Sequence, residues 1–186
     1  MAVIEAYLRA RPSFKGKTHL VLKIINAEKE TGLLAQLRAA VEREPSIVPL
    51  WDYLRRPQLN ALFNAADCYV SLHRSEGFGL TLAESMFLGK PVIATGWSAN
   101  TDFMTPWNSV PVPYKLVQLD RDYGAYPRGA TWADPDVDAA AAAMVRVANE
   151  PEFALALGVQ AARDMREHFS PQAIGKIIRG RLAAIS

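Results

Sequence analysis

Apolar residues recur along the chain in two periods, and the switches between them lay out alternating helices and strands. Val3, Ile4, Tyr7 and Leu8 fall at helical spacing up to Arg11-Pro12, so the chain opens inside a helix. An opening this abrupt suggests that something normally precedes it. Thr18 to Ile25 (THLVLKII) is rich in Leu and β-branched residues and reads as a buried strand. Glu28 to Arg43 is an amphipathic helix with Leu33, Leu34, Leu37 and Val41 on one face. Ser46 to Leu50 is a second strand, Arg56 to Ala65 a short helix with Pro57 in its first turn, and Asp67 to Leu72 a third strand. Leu80 to Leu88 is a helix closed by Gly89 ahead of Pro91, and Pro91 to Thr95 is a fourth strand. A fifth strand falls around Val110 to Leu116. Asp120 to Gly129, marked by Gly, Pro and Tyr, is irregular. Trp132-Ala-Asp134-Pro135 reads as a helix entry with Asp134 as N-cap. Helices over Ala139 to Ala148, Phe153 to His168 and Pro171 to Ala184 close the chain.

Strands alternating with helices imply βαβ units and a parallel sheet. The strands are continuous apolar runs, as expected when helices cover both faces. The fold class expected is therefore α/β: one Rossmann-like, doubly wound parallel sheet. Residues 1 to 186 form a single domain with a C-terminal helical extension from about residue 151.

Composition narrows the function classes. The 186 residues suffice for one domain with a sizeable core, and a net charge of +2 does not suggest a bulk nucleic-acid binder. The single cysteine, Cys68, has no internal disulfide partner and lies in an apolar run, which fits a buried thiol and a reducing compartment. Glu5, Arg9 and Arg11 interrupt the first twelve residues, so no secretory pattern is seen, and no apolar run reaches the roughly 18–20 residues of a membrane helix. The expected location is cytoplasmic, with peripheral membrane contact left open.

The chemistry concentrates in Ser71 to Thr95 (SLHRSEGFGLTLAESMFLGKPVIAT). Gly77 and Gly79 flank Phe78 between a strand and a helix. A helix start offers unpaired N–H groups and a positive dipole end, and glycines let a ligand approach the backbone. The amides from Phe78 to Thr81 can then face a diphosphate. Glu84 lies about one turn into a helix that is apolar on most sides, so that helix is expected to be buried all round. A carboxylate there either sits in a buried salt bridge or a helix-end cap, or accepts two adjacent hydroxyls, as of a ribose. Glu76, just before the turn, is either a helix-dipole partner or a group that contacts a sugar and stabilises an oxocarbenium-like centre.

The residues from Glu76 to Glu84, EGFGLTLAE, together with Gly89-Lys90-Pro91-Val92-Ile93-Ala94-Thr95, resemble the C-terminal, donor-binding domain of GT-B fold glycosyltransferases of the retaining group 1 family. Leu59, Leu62, Ala66, Asp67 and Val70 match the upstream family phrase more loosely. The resemblance implies a sugar-nucleotide substrate, UDP- or GDP-linked, with no cofactor and no metal. It implies that Glu76 contacts donor-sugar hydroxyls as the catalytic residue. It also implies that Phe78, Gly79 and Leu80 offer amides and that Glu84 holds the ribose. Gly77 and Thr81 complete the donor loop. Trp51 and Tyr53, in the loop Leu50 to Leu54, either stack on the base or serve packing.

His73 and Arg74 either touch the donor or are loop surface, and Lys23 either binds phosphate or snorkels from a strand end. Asn100 to Asp102 are placed for sugar or acceptor contacts. His19 and His168 are expected at the surface. Two features depart from the family. Arg9, Arg11, Lys15 and Lys17 do not match its diphosphate-clamping Arg and Lys, and 186 residues leave no room for its N-terminal acceptor domain. The expectation is half an enzyme, inactive alone, whose acceptor is held by a missing domain or separate subunit. The alternative is a non-catalytic sugar-nucleotide-binding subunit.

Overall fold

Two parallel ladders and one antiparallel hairpin carry the fold of this computed structural model, which describes residues 1–25, 31–124 and 126–185. The elements are α1 (Ala2–Ala10), β1 (Leu20–Lys23), α2 (Thr31–Arg43), β2 (Ile47–Leu50), α3 (Arg56–Ala65), β3 (Tyr69–Ser71), α4 (Leu80–Phe87), β4 (Val92–Thr95), β5 (Val110–Val112), β6 (Tyr114–Gln118), β7 (Thr131–Pro135), α5 (Val137–Asn149), α6 (Pro151–His168) and α7 (Pro171–Ala183). Strands β1 and β2 pair in parallel from Leu20↔Ile47 to Lys23↔Leu50. Strands β3, β4 and β5 form the second parallel ladder. The parallel α/β class expected from the alternation is present. Pro49, which has no N–H, sits in β2, whose only ladder partner among the described residues is β1.

Alternation along β4 explains the two layers. Ile93 packs into one core with Tyr7 and Ile4 of α1, Leu37 of α2 and Ala140 and Met144 of α5. Val92 and Ala94 face the opposite way, into a second core with Leu82 and Met86 of α4 and Ala161 and Met165 of α6. Leu82 and Met86 are fully buried, and each contributes about 1.5–3 kcal/mol on that account. Gly158 brings α6 against the turn after α4: a Cβ there would lie 2.1 Å from the Gly89 carbonyl oxygen.

Several expectations are corrected. The first strand is shorter than Thr18 to Ile25 and is not buried, since Val21 is 44% exposed and Ile25 67%. Glu28 to Glu30 of the expected second helix lie outside the described residues; from Thr31 the helix runs as expected to Arg43. The fifth strand breaks at Pro113: β5 stays on β4, while β6 turns away to pair antiparallel with β7, Tyr114↔Pro135 to Gln118↔Thr131. Trp132 to Pro135 is therefore strand, not helix entry. The N-cap of α5 is Asp136, whose carboxylate accepts the Ala139 N–H at 3.0 Å. The β-forming Thr131 and Trp132 fill the partner strand that β6 needs.

Candidate active site

Gly79 fixes the turn before α4. Its φ of +88° is one that side-chain-bearing residues avoid, and an added Cβ would meet Leu82 Cδ1 at 2.8 Å and Asn100 Cβ at 3.4 Å. Its carbonyl accepts the first helical hydrogen bond, from Ala83 N–H at 2.9 Å. The amides of Leu80, Thr81 and Leu82 precede that bond and have no partner within the helix. Leu80 is 67% exposed, and Phe87 and Leu88 also reach solvent. The helix is thus buried on one face, not all round, and Leu80 and Thr81 of its N-terminal turn are exposed.

Glu84 lies on the half-exposed side of α4, and Arg56 of α3 donates to its carboxylate. That bond holds the Arg56 guanidinium above its ordinary pKa. The Glu84 side chain keeps 28% exposure, so oxygen lone pairs remain for further donors. Glu76 is half-buried at the loop before the turn. Its carboxylate accepts the Gly77 N–H at 2.9 Å, and its own N–H donates to Ser98 Oγ at 3.4 Å.

The loop that carries Glu76 is held from several sides. His73 Nδ1 lies 3.2 Å from Ser71 Oγ and its Nε2 lies 3.0 Å from the Trp97 carbonyl. Arg74 donates to Asp134, and its guanidinium sits 5.1 Å from the Trp132 ring centroid. Phe78 packs its ring on Phe103 at 5.4 Å. Ser98 has φ +78° and is the one non-glycine residue in the left-handed region among those described.

Thr81 accepts a hydrogen bond from the Tyr69 hydroxyl at 2.9 Å. Burial raises the Tyr69 pKa; the bond to Thr81 opposes this, while the charges of Glu76 and Glu84 both add to it. The phenol therefore feels the charge of both carboxylates. Sequence reasoning missed Tyr69; the tyrosine twelve residues before Thr81 gave no motif to flag it.

A family model described as glycosyl transferases group 1 matches residues 3–117. The chain belongs to that family. Two solved structures are similar in fold to this group 1 chain. Sucrose-phosphate synthase from Thermosynechococcus elongatus aligns over 97% of it and 42% of its own length, at 21% identity and TM-score 0.68. The pneumococcal O-GlcNAc transferase GtfA, solved in complex with UDP and GlcNAc, aligns over 96% and 31%, at 20% identity and TM-score 0.61. The group 1 chain thus spans less than half the length of either, and its α/β architecture matches the GT-B fold. No curated protein matches it by sequence.

The remaining sequence-derived residues of the group 1 chain are dispersed. Lys23 turns back at the end of β1, its Nζ donating to the Ile24 carbonyl at 2.9 Å. Trp51 lines a groove of about 260 Å³ with Arg38, Val41, Glu42 and Pro49. Tyr53 is 84% exposed. A larger groove of about 540 Å³ lies between α1 and α2, and neither groove contains Glu76, Gly79 or Glu84. Asn100 is fully buried, its amide donating to the Thr95 carbonyl at 3.0 Å, so it supports the turn rather than facing outward. His19 and His168 are exposed. No helix among the described residues is long and apolar enough to cross a membrane. Among them, no three His, Cys, Asp or Glu side chains form a group suited to a metal ion.

Proposed function

We propose that this chain is the donor-binding half of a retaining glycosyltransferase that uses a UDP- or GDP-linked sugar. The observation that carries the reading is the exposed N-terminal turn of α4, shaped by Gly79 and flanked by Glu76 and Glu84. The free amides of the turn meet the diphosphate, where backbone donors and the helix dipole favour negative charge. Glu84, held by the Arg56 guanidinium, accepts the ribose hydroxyls. Glu76 contacts sugar hydroxyls and stabilises positive charge as the anomeric carbon becomes oxocarbenium-like. The family and the relative solved with UDP and GlcNAc support this reading.

The acceptor is held by a second domain or subunit, and the isolated chain transfers little or no sugar. Its coverage of less than half of either similar structure supports this. The same coverage supports the alternative of a sugar-nucleotide-binding subunit that acts only with a partner. The deciding experiment is calorimetric titration of the chain with UDP, GDP and ADP, repeated on Glu84→Ala. Binding of one nucleotide, lost in the variant, is expected. Equal affinity of wild type and variant removes Glu84 from the site, and no binding to any nucleotide removes the donor site from this chain.

A further inference from the structure

We propose that Trp132 and Asp134 of the β6–β7 hairpin are positioning residues for the Glu76 loop, acting through Arg74. Beyond β6 the hairpin lies outside the residues matched by the family model. Strand alternation puts Trp132 and Asp134 on one face of β7 while Ala133 is fully buried between them. Three contacts then converge on Arg74, two residues before Glu76. The Ala133 N–H donates to the Arg74 carbonyl at 2.9 Å, Asp134 accepts from the guanidinium, and the Trp132 ring lies beneath that guanidinium. The indole is itself wedged by Tyr123 at 5.0 Å and Tyr126 at 6.1 Å.

The hairpin's other strand reaches the same loop by a second route. Tyr114, the first residue of β6, packs on Trp97 at 5.3 Å, and the Trp97 carbonyl meets His73 Nε2. Each contact is weak alone, because Arg74 and Asp134 are partly exposed. Together they fix both the backbone and the side chain of a residue next to the proposed catalytic carboxylate. Arg74 is thereby committed to the hairpin and serves as a strut, not as a donor ligand. The hairpin fixes where Glu76 meets the sugar, while the nucleotide is held separately by α4.

This inference rests on the donor reading for its consequence but not for its geometry, and the test separates the two. Hydrogen exchange is measured on wild type, Trp132→Ala and the milder Asp134→Asn, alongside titrations with UDP, UDP-glucose, GDP and GDP-mannose. Exchange in residues 73–79 is expected to speed up about three- to tenfold, as from loss of a cation–ring contact and a partly exposed ion pair. Exchange in α4 and β4 stays unchanged. Affinity for the free nucleotide is retained, and the increment from the attached sugar is lost. Unchanged exchange in residues 73–79 in both variants overturns the positioning role. Equal loss of nucleotide and sugar-nucleotide affinity assigns these residues a general structural role and also overturns it. If wild type binds none of the four ligands, the donor reading falls, and the exchange data alone decide whether the hairpin clamps the loop.

Discussion

Arg56, the first residue of α3, is ion-paired with Glu84 in the middle of α4, so the carboxylate assigned to the ribose already has one partner before any ligand arrives. An ionised carboxylate has about four acceptor positions, so a ribose diol can bind beside the guanidinium without displacing it. Glu84→Ala is therefore expected to lower nucleotide affinity by about tenfold or more, the effect of losing hydrogen bonds to a charged acceptor. Arg56→Ala, which removes only an exposed counter-charge, is expected to lower it by a few-fold and to leave the melting temperature nearly unchanged. Calorimetry on both variants checks this. Equal losses would mean that Arg56 itself binds the ligand.

Ser98 holds a backbone conformation, φ +78° and ψ −163°, that is almost confined to glycine. Such residues store about 1–3 kcal/mol of strain, which the surroundings must hold in place. Two bonds do so: Thr101 N–H and Thr101 Oγ1 both donate to the Ser98 carbonyl, at 3.1 and 2.8 Å. Ser98→Gly also loses the hydroxyl that receives the Glu76 N–H, but it relieves the strain at an entropic cost of about 0.5–1 kcal/mol and is expected to melt above Ser98→Ala. Ser98→Ala keeps the strain and loses the same hydroxyl, and is expected to melt below wild type. A melting series on the three proteins decides; Ala above Gly would mean that the backbone is not strained there.

The helices and the turn were legible in the sequence because each rests on local chemistry. Pro57 and Gly89 punctuate their helices, and the left-handed turn before α4 needs a glycine where Gly79 stands. What was not legible depends on partners far along the chain. Trp132 to Pro135 carries a good capping aspartate, yet Tyr114 to Gln118 claims it as a strand. Arg74 looks like a free cation beside the site until Asp134, sixty residues later, takes its guanidinium. Tyr69 belongs to no motif, and only the fold brings its hydroxyl to Thr81 at the start of α4. Helix α4 looks apolar all round because its exposed Leu80 and Phe87 are indistinguishable by composition from its buried Leu82 and Met86.

Gly158 makes the tightest approach between α6 and the turn after α4. A methyl group added there would lie 2.1 Å from the Gly89 oxygen and 3.0 Å from its carbonyl carbon. Both are backbone atoms, so neither can rotate away. Gly89 is fixed in turn by its φ of +74° and by its N–H bond to the Met86 carbonyl at 2.9 Å. Gly158→Ala must therefore push α6 off α4, and it is expected to cost about 1–3 kcal/mol despite the better helix propensity of alanine. Gly180→Ala, on α7 with open space around it, is the control and is expected to stabilise slightly. Denaturant unfolding of the two variants measures the contrast. A Gly158→Ala protein as stable as the control variant would mean that the two helices do not meet this closely.

Cys68 precedes β3, its thiol 3.6 Å from the Tyr69 carbonyl oxygen. The residue as a whole is half-buried, yet burial pushes the thiol pKa up to about 12, with the nearby Asp67 charge adding to the shift. The folded chain therefore keeps the proton at pH values where the unfolded chain, titrating near 9, has lost it. The contribution is fully present below pH 9 and is lost as pH rises towards 12, at about 1.4 kcal/mol per pH unit. Wild type is thus expected to lose stability between pH 9 and 11 more steeply than Cys68→Ala, with lysines and tyrosines cancelling in the comparison. The native thiol should also resist a water-soluble disulfide reagent at pH 8 and react at once in denaturant, because the thiolate is the nucleophile. Parallel pH–stability slopes for the two proteins, or rapid modification of the native chain, would show that the thiol is not held neutral by the fold.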